Sequence, residues 1–229
     1  MKRLRFLLPL MAMLVLTSAR LHGQQLDLVQ NQPPPWPSLD DDSHRSLSSS
    51  PDGIWADRFG EGYRKGAMEF EGTLGAGVGL REGGGATHDI ALSELRVGKV
   101  FTKLLGQGCW YQGNIEMLGE LFVGAQFHPE ARYFVGILPV FRYNWILGGR
   151  WVPFIDLGAG VAATQIGGPD LGCRFEFNLQ AGPGVKYYFR DNLAFIGQWR
   201  YFHFSDGGIT TQNKGVNVST ILLGVSWAF

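Results

Sequence analysis

His203 and Ser205 stand two positions apart near the end of one alternating segment, and Asn217 lies near the start of the next. On a strand, residues i and i+2 share a face, so the imidazole and the hydroxyl stand side by side. The turn from Asp206 to Lys214 returns the chain so that Asn217 can pair beside them. A hydroxyl, an imidazole that takes its proton and a third group that fixes the imidazole tautomer are the parts of a serine hydrolase. Trp199 and Tyr201 share the face of His203 and Ser205. Polar groups on a lipid-facing surface call for an explanation. The competing one is an interfacial girdle, where polar side chains are tolerated without any chemistry.

The elements that must hold these residues are strands. From Gly215 to Phe229, Asn217, Ser219, Ile221, Leu223, Val225, Trp227 and Phe229 fall on one parity, while Val218, Thr220, Leu222, Gly224, Ser226 and Ala228 fall on the other. One face is bulky and apolar, the other mostly small, and the length suffices to cross a bilayer at a tilt. A terminal Phe after such alternation is similar to the signals read by the barrel assembly machinery, which is therefore an expected partner. None of the apolar stretches beyond the amino terminus reaches the ~18 uninterrupted residues of a spanning helix. A barrel stays invisible to hydropathy because its apolar residues come at every second position.

At the amino terminus, Lys2, Arg3 and Arg5 precede the apolar run Phe6 to Leu16. That run is too short to span and right for a secretory signal peptide, expected over residues 1–23 and cleaved after Ala19 or Gly23. Residues 24–66 hold Asn31 to Pro37, Asp40 to Asp42 and Ser46 to Pro51, with too little apolar surface to offset ordering entropy. They read as a disordered periplasmic linker. Its end, with Ile54, Trp55, Phe59 and Tyr63, has the aromatic content for a short helix or a plug at a barrel mouth. Lys plus Arg equals Asp plus Glu at 20 each, so nucleic acid is excluded as a partner. The 33 glycines and 13% aromatic residues suit a sheet.

The remainder, 67–229, divides into about eight alternating segments, the smallest even number seen in bacterial outer-membrane barrels. They are placed near 67–81, 86–101, 109–124, 130–145, 150–165, 172–188, 192–206 and 214–229. The expected fold is all-β, an eight-stranded antiparallel transmembrane β-barrel. In the sixth segment Cys173, Phe175, Phe177, Leu179, Val185, Tyr187 and Phe189 share one face, and Arg174, Glu176, Asn178, Gln180 and Lys186 the other. Elsewhere Gln112, Asn114, Glu116, Glu120, Arg132, Arg142, Asn144, Asp156, Gln198 and Arg200 are expected inside. In the first segment Met68, Phe70, Leu74, Val78 and Leu80 point outward, so parity must reset across a loop.

A barrel this small is filled by side chains, so its buried charges should pair with one another and line no pore. The glycines of Gly75 to Gly79 and Gly158 to Gly160 lack the following helix of a phosphate loop and read as room inside a crowded barrel. Cys109 and Cys173 are each expected to open a strand, on opposite sides of the membrane. That puts them beyond the about 7 Å between Cα atoms that a disulfide requires. His22, His44, His88, His128 and His203 are scattered and show no metal-ligand spacing, so neither metal nor cofactor is expected. His88 and His128 read as satisfied or solvated residues at loop ends.

The stretch Arg200-Tyr201-Phe202-His203-Phe204-Ser205-Asp206-Gly207-Gly208 resembles the His-x-Ser-Asn-x-Gly motif of the PagL-like lipid A 3-O-deacylases. These are eight-stranded outer-membrane barrels that remove an ester-linked acyl chain from lipid A. The resemblance implies His203 as general base and Ser205 as nucleophile. It also implies Asn213, ten residues after the histidine, and the backbone N–H of Gly208 as donors to the oxyanion. Lipid A, the lipid of lipopolysaccharide, is the implied substrate and the bacterial outer membrane the implied location.

Two positions depart from the family pattern. Asp206 stands where Asn usually follows the serine, and Asn217 stands where the triad glutamate is expected. A neutral Asn can accept from Nδ1–H, but it contributes no charge to stabilise an imidazolium, and a weaker enzyme is expected. Asp206 is the alternative acid if its turn folds back over His203. The second reading of the whole chain is a non-catalytic barrel with a structural or partner-binding role, which the neutral Asn217 favours.

Overall fold

The computed structural model describes residues 63–81, 87–146, 149–168, 170–211 and 213–229. The expected signal peptide, and the linker as far as residue 62, lie outside the described residues. Alternating outward bulk and inward small or polar side chains give eight strands: β1 (Met68–Leu80), β2 (Asp89–Val100), β3 (Gly113–His128), β4 (Arg132–Trp145), β5 (Trp151–Thr164), β6 (Phe175–Arg190), β7 (Leu193–Ser205) and β8 (Val216–Ala228). Every neighbour in sequence pairs antiparallel, and β1 pairs with β8 to close the barrel. Closure leaves no strand edge unpaired, which is the condition for a sheet to exist in lipid.

The outer wall is apolar. Phe70, Leu74 and Val78 of β1 and Leu223, Val225 and Trp227 of β8 are exposed, as are Leu95 and Val97, Leu121 and Val123, and Phe177 and Leu179 on other strands. The outward set is even-numbered in β1 and odd-numbered in the strands named from β2 onward, so parity resets between β1 and β2.

Inside, three layers stack along the axis. The middle is an ion-pair network in which Arg96 meets Glu71 at 3.1 Å and Glu120 at 2.8 Å, Arg142 meets Asp156 at 2.7 Å, and Arg200 meets Glu120 at 2.6 Å and Asp156 at 2.7 Å. Lys186 joins it through Glu71 at 3.1 Å and through Glu69. Charges withdrawn from water are tolerated only with such mutual pairing, and the interior is accordingly a packed core. One end is filled by Phe122, Phe134, Phe202 and Phe204, with Ile90, Leu118 and Val218 around them. The other is closed by Tyr63, whose hydroxyl lies 2.6 Å from that of Tyr188 and whose carbonyl accepts from Asn114 Nδ2. Tyr63 is thus buried at this end of the barrel, while Ile54, Trp55 and Phe59 lie outside the described residues.

The third strand corrects the expectation. It begins at Gly113, four residues later than the predicted segment. The chain before it is a turn: Cys109 N donates to Gly106 O, Gln112 N to Cys109 O, and Gly108 N to Gln112 Oε1. Gly106 and Gly108 take φ of 61° and 75° there, which breaks the alternation. Cys109 is thus an exposed turn residue, Gln112 is not an inward strand residue, and Cys173 sits just ahead of β6; both thiols are free. Arg132 and Arg174 are exposed at a strand end, where the inward rule gives way to solvent. Arg132 pairs with Glu130 at 2.7 Å. Gly77 and Gly160 behave as expected: a Cβ would collide with Thr220 in the first case and Leu138 in the second.

Candidate active site

β7 and β8 lie side by side, and their register pairs His203 directly with Asn217 and Tyr201 with Ser219. On the outer sides, Leu179 of β6 is the partner of His203 and Leu80 of β1 the partner of Asn217. A row of four outward residues thus runs Leu179, His203, Asn217, Leu80, with the polar pair flanked by exposed leucines. Direct cross-strand partners have Cβ atoms about 5 Å apart, close enough for side chains to bond. His203 Nδ1 and Asn217 Oδ1 do so at 2.6 Å. The Asn217 oxygen also accepts from the Tyr201 hydroxyl at 2.5 Å. One step further along the wall, Trp199 Nε1 donates to Ser219 Oγ at 2.8 Å.

An amide oxygen facing Nδ1 accepts a hydrogen bond from Nδ1–H, and in that tautomer the Nε2 lone pair is the basic position of the imidazole. Ser205 ends β7 two residues beyond His203 and is half-buried. Its hydroxyl makes no hydrogen bond among the described residues.

The turn after Ser205 is organised by Asp206, which is buried. Its Oδ1 accepts from Gly208 N at 2.8 Å and from Asn213 Nδ2; its Oδ2 accepts from Thr210 N at 2.9 Å and Thr210 Oγ1 at 2.5 Å. The Thr210 hydroxyl, with the N–H groups of Gly208 and Thr210, holds this carboxyl below its ordinary range. Asp206 therefore differs from the acid considered above: both its oxygens are committed to its own turn, while Nδ1 of His203 is taken by Asn217. Gly208 differs too, because its N–H already donates to Asp206. Asn213 keeps a second amide hydrogen beyond the one given to Asp206.

The far side of the turn is fixed from another loop. Asp170 O accepts from Lys214 N at 3.0 Å and Gly215 N at 3.1 Å. The Asp170 carboxylate lies 3.2 Å from His88 Nε2, and His88 Nδ1 lies 2.6 Å from Gln126 Oε1. His88 is thus a satisfied buried histidine at a loop end, while His128 is exposed. Gly215 takes φ of 75°, and a Cβ there would stand 3.0 Å from His203 Cε1. Sequence reasoning gave Gly215, Asp170 and His88 no part in this site. Gly215 carried the signal of a glycine just before a strand; His88 and Asp170 are 82 positions apart and carried none. Among the described residues, no group of His, Cys, Asp and Glu side chains could hold a metal ion.

A closed eight-stranded antiparallel barrel with an apolar outer wall defines the class, an outer-membrane β-barrel, and in its wall His203 is bonded to Asn217 with Ser205 two residues further along β7. The family model for lipid A 3-O-deacylase (PagL) matches residues 99–226, more than half of the chain, and the chain belongs to that family. It is a bacterial outer-membrane protein of a lipid A deacylase family. A crystal structure of the outer membrane enzyme PagL is similar at 22% identity with a TM-score of 0.50, covering 66% of this chain and 97% of that one. Neisserial surface protein A is similar in fold at 12% identity and a TM-score of 0.53, over 72% of this chain and 100% of its own. No curated protein matches the chain.

Proposed function

We propose that this barrel hydrolyses an ester-linked acyl chain of lipid A, with Ser205 as nucleophile, His203 as general base and Asn217 as the group that fixes the imidazole. Nε2 takes the Ser205 proton as Oγ attacks the ester carbonyl, and the same proton passes to the sugar hydroxyl as it leaves. Water then repeats the cycle on the acyl-enzyme. The observation that carries this reading is the 2.6 Å contact between His203 Nδ1 and Asn217 Oδ1, which reserves Nε2 for the hydroxyl two residues away on the same face.

The second hydrogen of Asn213 Nδ2 is the donor best suited to the developing oxyanion. Gly208 could join only if its N–H left Asp206. With the site-bearing end of the barrel outward, the cluster meets lipopolysaccharide in the outer leaflet. The flanking leucines, Leu179 and Leu80, offer apolar surface against which an acyl chain can lie without leaving the lipid phase. No cofactor is needed for this chemistry.

The test is mass spectrometry of lipid A from cells expressing the protein, beside a Ser205→Ala variant at the same level of folded barrel. Loss of one acyl chain only with Ser205 is the expected result. Fully acylated lipid A in both samples would refute the hydrolase and favour the non-catalytic barrel, the reading that the neutral Asn217 supports.

A further inference from the structure

Three cations stand on the rim next to the Ser205–His203 pair. Arg81 follows Leu80, the β1 partner of Asn217. Lys214 comes three residues before Asn217, and Arg174 three residues before Phe177, the β6 partner of Ser205. At about 3.3 Å per residue, each lies within roughly 10 Å of the site along its own chain. All three are exposed, and among the described residues their side chains make no ion pair or hydrogen bond.

The acids of the same sector are turned inward. Asp170, Glu176 and Asp206 are buried. The Asp206 oxygens are held by Gly208, Thr210 and Asn213, and the Asp170 carboxylate faces His88. Asp89, half-buried, accepts from Gly79 N at 3.0 Å. The rim between β3 and β4 is built differently, because there the exposed Arg132 is matched by the exposed Glu130 at 2.7 Å. With its carboxylates buried and its guanidinium and ammonium groups in water, the sector beside Ser205 presents a positive surface among the described residues.

Below that surface the wall is apolar, with Phe177, Leu179 and Leu80 exposed around the polar pair. The ligand that fits both levels is an amphiphile with an anion at the rim, an acyl chain on the wall and the ester between them. Two guanidinium groups match the paired oxygens of a phosphate, and an ammonium adds a point charge. We propose that Arg81, Arg174 and Lys214 form a subsite for a phosphate on the sugar headgroup of the lipid whose ester Ser205 attacks. The subsite holds the headgroup on the water side and so sets the depth at which the ester meets the hydroxyl. The proposal deepens the deacylase reading and rests on it for its kinetic readout, whereas its binding readout needs no turnover.

The test combines Arg81→Gln, Arg174→Gln and Lys214→Gln in one full-length variant, since all three are exposed and leave the barrel wall intact. Parent and variant are compared in detergent micelles on lipid A and on lipid A stripped of its phosphates. Exposed charge pairs contribute a few-fold each, so the parent should show a KM about tenfold lower for the phosphorylated lipid. The variant should lose that preference, with kcat within about twofold of the parent and KM for the stripped lipid unchanged. Added salt should weaken the preference of the parent and leave the variant indifferent. Calorimetric binding of the two lipids to a Ser205→Ala barrel should show the same preference without hydrolysis.

Equal KM values for the two lipids in the parent would overturn the proposal. An equal rise in KM for both lipids in the variant would do so as well, since it would mark a general disturbance of the rim. If the parent cuts neither lipid, the deacylase reading falls and binding alone decides: a preference for the phosphorylated lipid that the triple substitution removes upholds the subsite, and equal binding of both lipids refutes it.

Discussion

Asn217 Oδ1 lies 2.6 Å from His203 Nδ1, and the two residues are direct partners in the β7–β8 ladder. The bond is therefore set by strand register and not by a flexible loop. A neutral amide in this place can orient the imidazole as a carboxylate would, but it brings no negative charge to oppose a positive one on the ring.

Asn217→Glu is expected to raise kcat. A triad carboxylate exchanged for its amide costs about 10⁴-fold in a serine protease, so restoring one here should give a gain of roughly 10²-fold or more. Asn217→Leu should remove activity while leaving the barrel folded. Deacylation rates on purified lipopolysaccharide, with gel mobility before and after heating as the check on folding, decide both.

Asn213→Ala should lower kcat by about 10²- to 10³-fold if its amide serves the oxyanion, with little change in KM. A matched fall in the stability of the Asp206 turn would instead assign Asn213 to that turn alone. The comparison needs steady-state kinetics beside hydrogen exchange of the Gly208 and Thr210 amides.

Asp206 gives the turn a pH limit. Its carboxyl is held below the ordinary range by the Thr210 hydroxyl and then by backbone N–H groups, so the stabilisation is fully present above the ordinary aspartate pKa of about 3.9 and is lost as pH falls through the lowered folded value. Protection of the Gly208 and Thr210 amides, the ratio of intrinsic to observed exchange rate, should hold at neutral pH and fall only below about pH 4. Asp206→Ala should show low protection at every pH.

Gly215→Ala tests the packing of the imidazole. An alanine at φ of 75° is strained, and its Cβ would press on His203 Cε1 at 3.0 Å. The expected cost to stability is about 1 kcal/mol, with a disproportionate loss of activity as the ring shifts. Thermal unfolding in detergent and deacylation rates separate the two effects.

Arg142→Leu should destabilise the barrel by about 3–5 kcal/mol, because it leaves Glu71 and Asp156 buried without a main partner. Unfolding in urea, followed by loss of the heat-sensitive gel mobility, measures it. A value near zero would mean that water enters the interior and solvates those carboxylates.

Sequence alone determined the architecture, because a closed barrel writes its two faces as alternation: Phe175, Phe177 and Leu179 outward, and Glu176, Asn178 and Gln180 inward. It also brought His203, Ser205 and Asn217 to one face, since parity along a strand is local. It misplaced the start of β3, where Gly106, Gly108 and Gln112 build a turn through contacts that alternation does not encode. Only the tertiary structure decided which partners the site residues take. Asp206 could be an acid for His203 or the organiser of its own turn, and the choice fell to donors on Gly208, Thr210 and Asn213 that converge when the loop closes. The Tyr201 bond to Asn217, and the His88 tie to Asp170 across 82 positions, likewise come from barrel closure and cross-strand register, which bring together side chains that no spacing in the chain relates.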